Sequence, residues 1–180
     1  MSEDEAALVA AVAGGDETAF RQLLARHGAA ISRFTRRMLA NADDADDLAQ
    51  EVFLRLWTEA HRYRPEAARL STWLHRIAHN LCVDWRRKHA RVIAAGDALP
   101  EDGDAADPAA AMAGEARARR VRESVAALPA RQRDALLLTH YQGLANRDVA
   151  AILGVSVDAL ESLLARARRQ LRAAMEESDG

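Results

Sequence analysis

The sequence has little of the material that disulfides, large β-sheets or membrane spans require. One of its 180 residues is cysteine, Cys82, and 4% are aromatic, which excludes an intramolecular disulfide and suits a reducing cytoplasm. β-Branched residues are too sparse for an extensive sheet, and no apolar run approaches the roughly 18 residues of a membrane span. The acidic start, MSEDEAAL, lacks the basic-then-apolar order of a signal peptide. We therefore expect a soluble all-α protein of the cytoplasm.

The net charge of −2 hides an uneven distribution along the chain. Residues 61–92 contain eight basic and two acidic side chains, and residues 115–172 contain eleven and six. Residues 93–114, between them, contain five acidic and no basic side chains. Each basic block is either a positively charged surface that binds a polyanion or a solvated helical surface. Charge alone does not separate these two interpretations.

Residues 94–114, AAGDALPEDGDAADPAAAMAG, form the clearest boundary in the chain. The segment contains two prolines, three glycines and five acidic residues. It has almost no large apolar side chain to bury, so a core cannot offset its ordering entropy. We predict a flexible acidic linker that joins two small helical domains, residues 1–93 and residues 115–175.

The periodicity of the amino-terminal domain predicts four helices. The first ends at Gly14 and Gly15, and two more cover about residues 16–39 and a segment that begins near Asp43. Ser71 is the predicted N-cap of the fourth helix. The apolar spacing of this fourth helix predicts one buried stripe, formed by Leu74, Ile77, Ala78, Leu81 and Trp85.

The stretch from Gly143 to Leu171 has the pattern of two short helices joined by a tight turn. The first helix starts at Asn146, and Gly154 suits a turn that requires left-handed backbone. In a helix–turn–helix element the second helix enters the major groove of DNA. Its predicted outward face consists of Asp158, Glu161, Ser162, Ala165 and Arg169, with Arg166 and Arg168 on either side.

A competing hypothesis concerns three side chains of the fourth helix. His75, His79 and Cys82 are spaced i, i+4 and i+7, so they can line one face, and such side chains bind zinc. A fourth ligand would have to be His89 or His61, and no CxxC or HExxH motif accompanies them. The basic residues of this helix need the same face to contact a partner, and we expect His79 to be exposed on it. We therefore expect neither a metal nor another cofactor.

Four blocks in a fixed order resemble a known family. They are DADDLAQEVFLRLW, STWLHRIAHNLCVDWRR, LPARQRDALLL and the helix–turn–helix. Together they are similar to bacterial sigma factors of the extracytoplasmic-function group, the minimal branch of the sigma-70 superfamily. The resemblance covers roughly residues 15–90 and 115–172. It implies a sigma-2-like and a sigma-4-like domain in an alternative sigma factor that binds core RNA polymerase and directs transcription initiation from specific stress-response promoters.

The third helix is the implied polymerase contact. By resemblance it docks on the clamp helices of the largest polymerase subunit, and the polymerase flap is a second implied partner. An acidic face with an aromatic anchor suits a basic protein and repels phosphate, although acids at a helix start are also favoured by the helix dipole alone. The implied contacts are Asp46, Asp47, Gln50, Glu51, Leu54 and Trp57.

The basic block after that helix is the implied site for the promoter −10 element. In the family, the loop before the fourth helix captures a flipped base and the helix contacts the adjacent duplex. An extruded base stacks on aromatic or apolar walls and is read by polar groups. For Trp85 we expect core packing, and for Trp73 core packing and DNA contact are equally plausible. The implied DNA contacts are Tyr63, Arg64, Ser71, Trp73, Arg76, Asn80, Asp84, Arg86 and Arg87.

The helix–turn–helix is the implied reader of the −35 element. The family usually has G-T-V-K/R-S-R where this chain has DALESL, so the carboxylate of Glu161 replaces a basic side chain. A carboxylate accepts a hydrogen bond from the cytosine N4 amino group in the major groove. We therefore predict weaker phosphate binding and an individual −35 preference. The implied contacts are Arg147, Ser156, Asp158, Glu161, Ser162, Ala165, Arg166 and Arg169.

Two other function classes remain open at this point. A stand-alone helix–turn–helix regulator would bind duplex DNA tightly without polymerase, and a metal-responsive sensor would use the histidines and cysteine of the fourth helix. The sequence has no glycine-rich phosphate loop and no nucleophile motif, so we expect no enzyme activity and no small-molecule substrate. The resemblance also implies a cognate anti-sigma factor, often membrane-anchored, that holds the protein inactive at the inner membrane of a bacterium.

Overall fold

The computed structural model describes residues 3–39, 41–89 and 119–176, which belong to two compact units. The units divide the chain into Met1–Gly96 and Asp97–Gly180. Every regular element in the described ranges is a helix or a helical turn, which confirms the all-α fold class. The predicted linker, residues 94–114, lies outside the described residues, so its bounds stay a prediction.

The described part of the amino-terminal unit contains four α-helices and one short 3-10 turn. Local chemistry explains where they start: the Asp16 carboxylate accepts from the backbone N–H groups of Thr18 and Ala19, and the Asn41 side chain caps the third helix in the same way. Gly15 ends the first helix with φ 88°. The elements are α1 (Glu3–Ala13), α2 (Glu17–Met38), α3 (Ala42–Glu59), the 3-10 turn (Ala60–Arg62) and α4 (Leu70–Lys88).

The core of this unit lies where α2, α3 and α4 meet. Leu23, Phe34, Leu56 and Leu74 are fully buried there, which stabilises the bundle because burying each such side chain contributes about 1.5–3 kcal/mol. Leu24 of α2, by contrast, is 40% exposed and lies on a surface described below.

The prediction for the start of α4 is wrong, and the prediction for its buried face is right for Leu74 and Ala78 only. The helix begins at Leu70, with Arg69 at the N-cap position, so Ser71 lies inside the first turn and does not cap the helix. The buried face includes His75, His79 and Cys82. It is rotated from the predicted stripe, which leaves Ile77, Leu81 and Trp85 only partly buried.

The polar atoms of His75 explain how α4 accommodates this rotation. Its Nδ1–H donates to the carbonyl oxygen of Ser71 at 2.7 Å, and its ring meets Phe34 edge-on at 5.4 Å. A buried imidazole with a hydrogen-bond partner costs little, so the histidine side of α4 can face the core. The predicted stripe and the observed buried face both have the spacing of an α-helix, and packing against α2 and α3 determines which side chains are covered.

The described part of the carboxy-terminal unit contains the predicted helix–turn–helix. Residues 119–126 are helical (α5). They are followed by α6 (Ala130–Leu136), a π-helical turn (Leu137–Tyr141), α7 (Asn146–Leu153) and α8 (Val157–Glu176). Gly154 joins α7 to α8 with φ 64° and ψ 40°, which confirms the left-handed turn. Apolar side chains of both helices form the interior of this unit, with Val149, Leu160 and Leu164 among the most buried.

Within the described ranges, no helix is both long enough and apolar enough to cross a membrane.

Candidate functional site

A surface groove of about 920 Å³ runs between α2 and α3 in the amino-terminal unit. All six side chains predicted to contact polymerase line it from α3: Asp46, Asp47, Gln50, Glu51, Leu54 and Trp57. The opposite wall is formed by α2 residues at i, i+4 spacing, which therefore share one face: Phe20, Leu24, Gly28, Ser32 and Arg36. Nothing in the sequence alone indicated that α2 supplies this second wall.

One end of the groove is apolar and open to solvent. Leu54 is 54% exposed, and Leu24 faces the same groove from α2. The Trp57 ring is held edge-on against Phe20, with the ring centroids 5.4 Å apart. Large apolar side chains that are exposed together, beside polar neighbours, mark a binding surface for another molecule.

The acidic end of the groove is largely neutralised within the molecule. Arg36 donates from Nε and Nη2 to the two carboxylate oxygens of Asp46 at 3.0 and 2.8 Å, and this hydrogen bonding lowers the pKa of Asp46 below its ordinary value. Arg55 pairs with Glu51 at 3.0 Å. Asp47 and Gln50 are exposed and form no hydrogen bond or ion pair among the described residues. Asp47 is therefore the acid that the groove offers to a partner.

The loop between the 3-10 turn and α4, residues 63–69, has a buried anchor. Tyr63 was predicted to contact DNA, but it is only 7% exposed and its hydroxyl donates to the carbonyl of Ala68 at 3.0 Å. The ring also packs edge-on against Trp73, 5.8 Å between centroids. Tyr63 is therefore interior, because its ring and its hydroxyl both find partners inside the unit. Arg64 remains exposed.

An exposed polar stripe runs along α4 beyond this loop. Arg76, Asn80, Asp84 and Arg87 are exposed at helical spacing, and Arg87 pairs with Asp84 at 3.0 Å. Of the other predicted −10 contacts, Ser71, Trp73 and Arg86 are half-buried.

Trp85 was predicted to pack in the core, and this prediction is wrong. It is half-buried and stacks on His89, with 4.3 Å between the ring centroids. The indole lies near the carboxy-terminal end of α4, and its aromatic neighbour His89 is the residue that directly follows the helix.

The structure gives the zinc hypothesis no support. His75 and Cys82 are buried in the core, and His79 is 8% exposed. Over the ranges that the structure describes, no three or more His, Cys, Asp or Glu side chains are grouped so that they could hold a metal ion.

The outward face of α8 has the composition expected from its sequence. All the predicted −35 contacts are exposed: Arg147, Ser156, Asp158, Glu161, Ser162, Ala165, Arg166 and Arg169. The Ser156 hydroxyl accepts from the backbone N–H of Ala159 at 3.1 Å and so caps α8. Glu161 has no basic residue three or four positions away along the helix, and it forms no ion pair with any described residue.

Comparison with known proteins assigns both units to one family. The Sigma-70 region 2 model matches residues 23–92, and the Sigma-70 region 4 model matches residues 118–171. The extracytoplasmic-function (ECF) RNA polymerase sigma factor SigM of Mycobacterium tuberculosis is 36% identical over 93% of this chain and 82% of SigM. The chain belongs to the ECF sigma factors.

Solved structures of relatives share the fold of this sigma factor. CnrH, an RNA polymerase sigma factor of Cupriavidus metallidurans, is 32% identical over 94% of this chain and 93% of CnrH. A structure of CnrH in complex with the cytosolic domain of CnrY matches with a TM-score of 0.74 and 28% identity, over 97% of this chain and 99% of that one. The sigma factor RpoE of Bartonella quintana, in complex with the anti-sigma factor NepR, gives a TM-score of 0.69 and 26% identity over 87% and 96%.

The carboxy-terminal unit of this sigma factor has a groove of its own, of about 600 Å³. It has an apolar floor, and Tyr141 on its rim is 43% exposed. The π-helical turn places His140 and Tyr141 at this groove, and nothing in the sequence indicated that turn. The groove is lined by Val121, Val125, Leu136, His140, Tyr141, Arg168, Leu171 and Arg172.

Proposed function

We propose that this sigma factor binds core RNA polymerase through the α2–α3 groove and directs transcription initiation from specific stress-response promoters. One observation supports this most strongly. The six side chains selected from the sequence as polymerase contacts, spread over twelve positions of the chain, all line a single groove with an exposed apolar end. If the acidic face of α3 were only a solvated helix surface, it would not require a second wall from α2 opposite it.

The chemistry of the groove favours a helical protein partner over DNA. An amphipathic helix docks by placing apolar side chains in such a groove, here against Leu24, Leu54 and Trp57. Asp47 then pairs with a basic residue of the partner, whereas it would repel a phosphate. The clamp helices of the largest polymerase subunit are the proposed occupant.

The −10 element is proposed to bind the loop at residues 63–69 and the exposed stripe of α4. A sigma factor performs no covalent step, so strand separation has to come from preferential binding of the unpaired strand. The half-buried Trp73 lies at the start of α4, where an extruded base can reach it. Arg76, Asn80 and Arg87 then contact the adjacent duplex.

The −35 element is proposed to bind α8, whose outward face enters the major groove. Arg166, Arg169 and Arg147 supply phosphate contacts, and Glu161 and Ser162 face the bases. The apolar groove of the same unit is the proposed site for the polymerase flap. The proposed domains are residues 1–93 and residues 115–175, with residues 94–114 as the linker between them.

A cognate anti-sigma factor is the proposed regulator. CnrH and RpoE were both solved with a partner, CnrY and the anti-sigma factor NepR respectively. The exposed apolar surfaces of this chain support a partner that covers them while the protein is inactive. We place the protein in the bacterial cytoplasm, held at the inner membrane where that partner is membrane-anchored. No enzyme activity, small-molecule substrate or cofactor forms part of this function.

Run-off transcription tests the proposal. Core polymerase is supplied with and without this protein on templates that carry the promoter upstream of its own gene. We expect a defined transcript only when both are present. Tight duplex binding by the protein alone, without any polymerase-dependent transcript, would support a stand-alone regulator instead. Activity that requires added zinc would support the metal sensor.

A further inference from the structure

Tyr63 lies at the base of the loop that we propose captures the flipped −10 base. Its hydroxyl donates to the carbonyl of Ala68 at 3.0 Å, and this bond joins the two ends of the loop. Arg64 adds to the same fold by donating to the carbonyls of His61 and Tyr63 at 2.8 and 3.1 Å. The exposed residues between these ends are Arg64, Glu66 and Ala67.

The environment of Tyr63 keeps its hydroxyl in the donating form. Burial raises the pKa of the phenol, and the negative charges of Glu5 and Glu66 raise it further. A neutral phenol that is buried needs a hydrogen-bond partner, and the Ala68 carbonyl is that partner. The ring also packs against Trp73 at the start of α4. One side chain therefore connects both ends of the loop with the first turn of the helix.

We propose that Tyr63 is a positioning residue that holds residues 64–69 in the shape that receives the flipped base. This inference rests on the proposed −10 function of the loop. A loop that is already closed does not have to be ordered when the base leaves the duplex, so more of the binding free energy is available for strand separation. Tyr63 acts through the loop and Trp73, and it touches no base itself.

Tyr63→Phe is the variant that isolates the hydroxyl, because the ring and its contact with Trp73 remain. The probe is a promoter DNA with an unpaired −10 strand, made with an intact base or with an abasic site at each −10 position in turn. Affinity is measured for the complete holoenzyme, so unfolded protein does not contribute. The position with the largest loss in the wild-type protein identifies the flipped base.

We expect the ratio of affinities for intact and abasic DNA to fall by about two- to ten-fold in Tyr63→Phe, the range that a single hydrogen bond supplies. Binding to core polymerase should not change. Thr58→Val is the matched control, because it also removes a hydroxyl that donates to a backbone carbonyl, that of Leu54 at 3.0 Å. Its intact-to-abasic ratio should equal that of the wild type.

Each other result overturns a specific part of the inference. If Tyr63→Phe keeps the wild-type ratio, Tyr63 does not position the loop, and the proposed function is unaffected. If Tyr63→Phe loses core binding and helical circular dichroism together, its role is structural. If the wild-type protein does not distinguish intact from abasic DNA at any −10 position, the proposed capture of a base is itself wrong.

Discussion

Replacement of Glu161 by alanine should change which −35 sequence the protein prefers. Glu161 is exposed and unpaired in the described structure, and alanine is as good a helix former as glutamate. The substitution therefore costs almost nothing in folding, and a measured change belongs to DNA binding. A base contact in the major groove is worth about 1–3 kcal/mol, so we expect roughly 5- to 150-fold less discrimination at one base pair.

The assay is a selection of −35 variants by the wild-type holoenzyme, by Glu161→Ala and by Glu176→Ala. Glu176 supplies the matched control because it is the same side chain, exposed near the far end of α8. We expect relaxed preference at a single position, a cytosine on one strand, for Glu161→Ala alone. Identical preferences for all three proteins would mean that Glu161 does not read a base, and that Ser162, Arg166 or the shape of the duplex determines the specificity.

Three further predictions concern the groove and the linker. Asp47→Arg should abolish co-elution with core polymerase at unchanged helical circular dichroism, because Asp47 is exposed and unpaired; undiminished binding would contradict the assignment. Asp46→Asn should lower the free energy of unfolding by at most about 1 kcal/mol, since the Arg36 pair is on the surface. The Arg36 pair lowers the pKa of Asp46 in the folded state below its ordinary value of 3.8. The stability difference between the wild type and Asp46→Asn should therefore be complete above pH 3.8, and it should disappear as the pH falls through the lower pKa of the folded state. Urea titrations at several pH values would measure this difference. Replacing part of residues 95–111 with Gly/Ser of equal length should preserve most run-off transcription. Deleting about ten of these residues should lower it, because both promoter elements can then no longer be bound at the same time.

The sequence predicts the helices of this protein well because their caps and periodicity are local. Asp16, Gly15 and Gly154 stop or start helices through their own backbone and side-chain chemistry. The buried face of α4 was not predictable in the same way. The structure buries Leu74 and Ala78 of the predicted stripe together with the histidines and the cysteine beside them. Only packing against α2 and α3 determines which part of the helix is covered.

The candidate site was predictable on one side only. The resemblance to the sigma factor family identified the six groove residues of α3, because acids at a helix start are also favoured by the helix dipole alone. The pairing of Arg36 with Asp46 joins two helices across ten positions of the chain, so no local pattern reveals it. The burial of Tyr63 is equally a tertiary effect, because its hydroxyl partner and its ring partner belong to the folded loop and to α4.

The internal ion pairs of the groove affect the association and dissociation rates that we expect for its proposed partner. Arg36 and Arg55 already compensate Asp46 and Glu51, so the groove presents one unbalanced carboxylate, that of Asp47, beside a large apolar area. Long-range attraction is then weak, and the association rate should respond little to ionic strength. The lifetime of the complex should instead depend on Leu24, Leu54 and Trp57, because the loss of buried apolar contacts acts mainly on the dissociation rate. We therefore expect such a sigma factor to compete for polymerase mainly by its residence time on the enzyme.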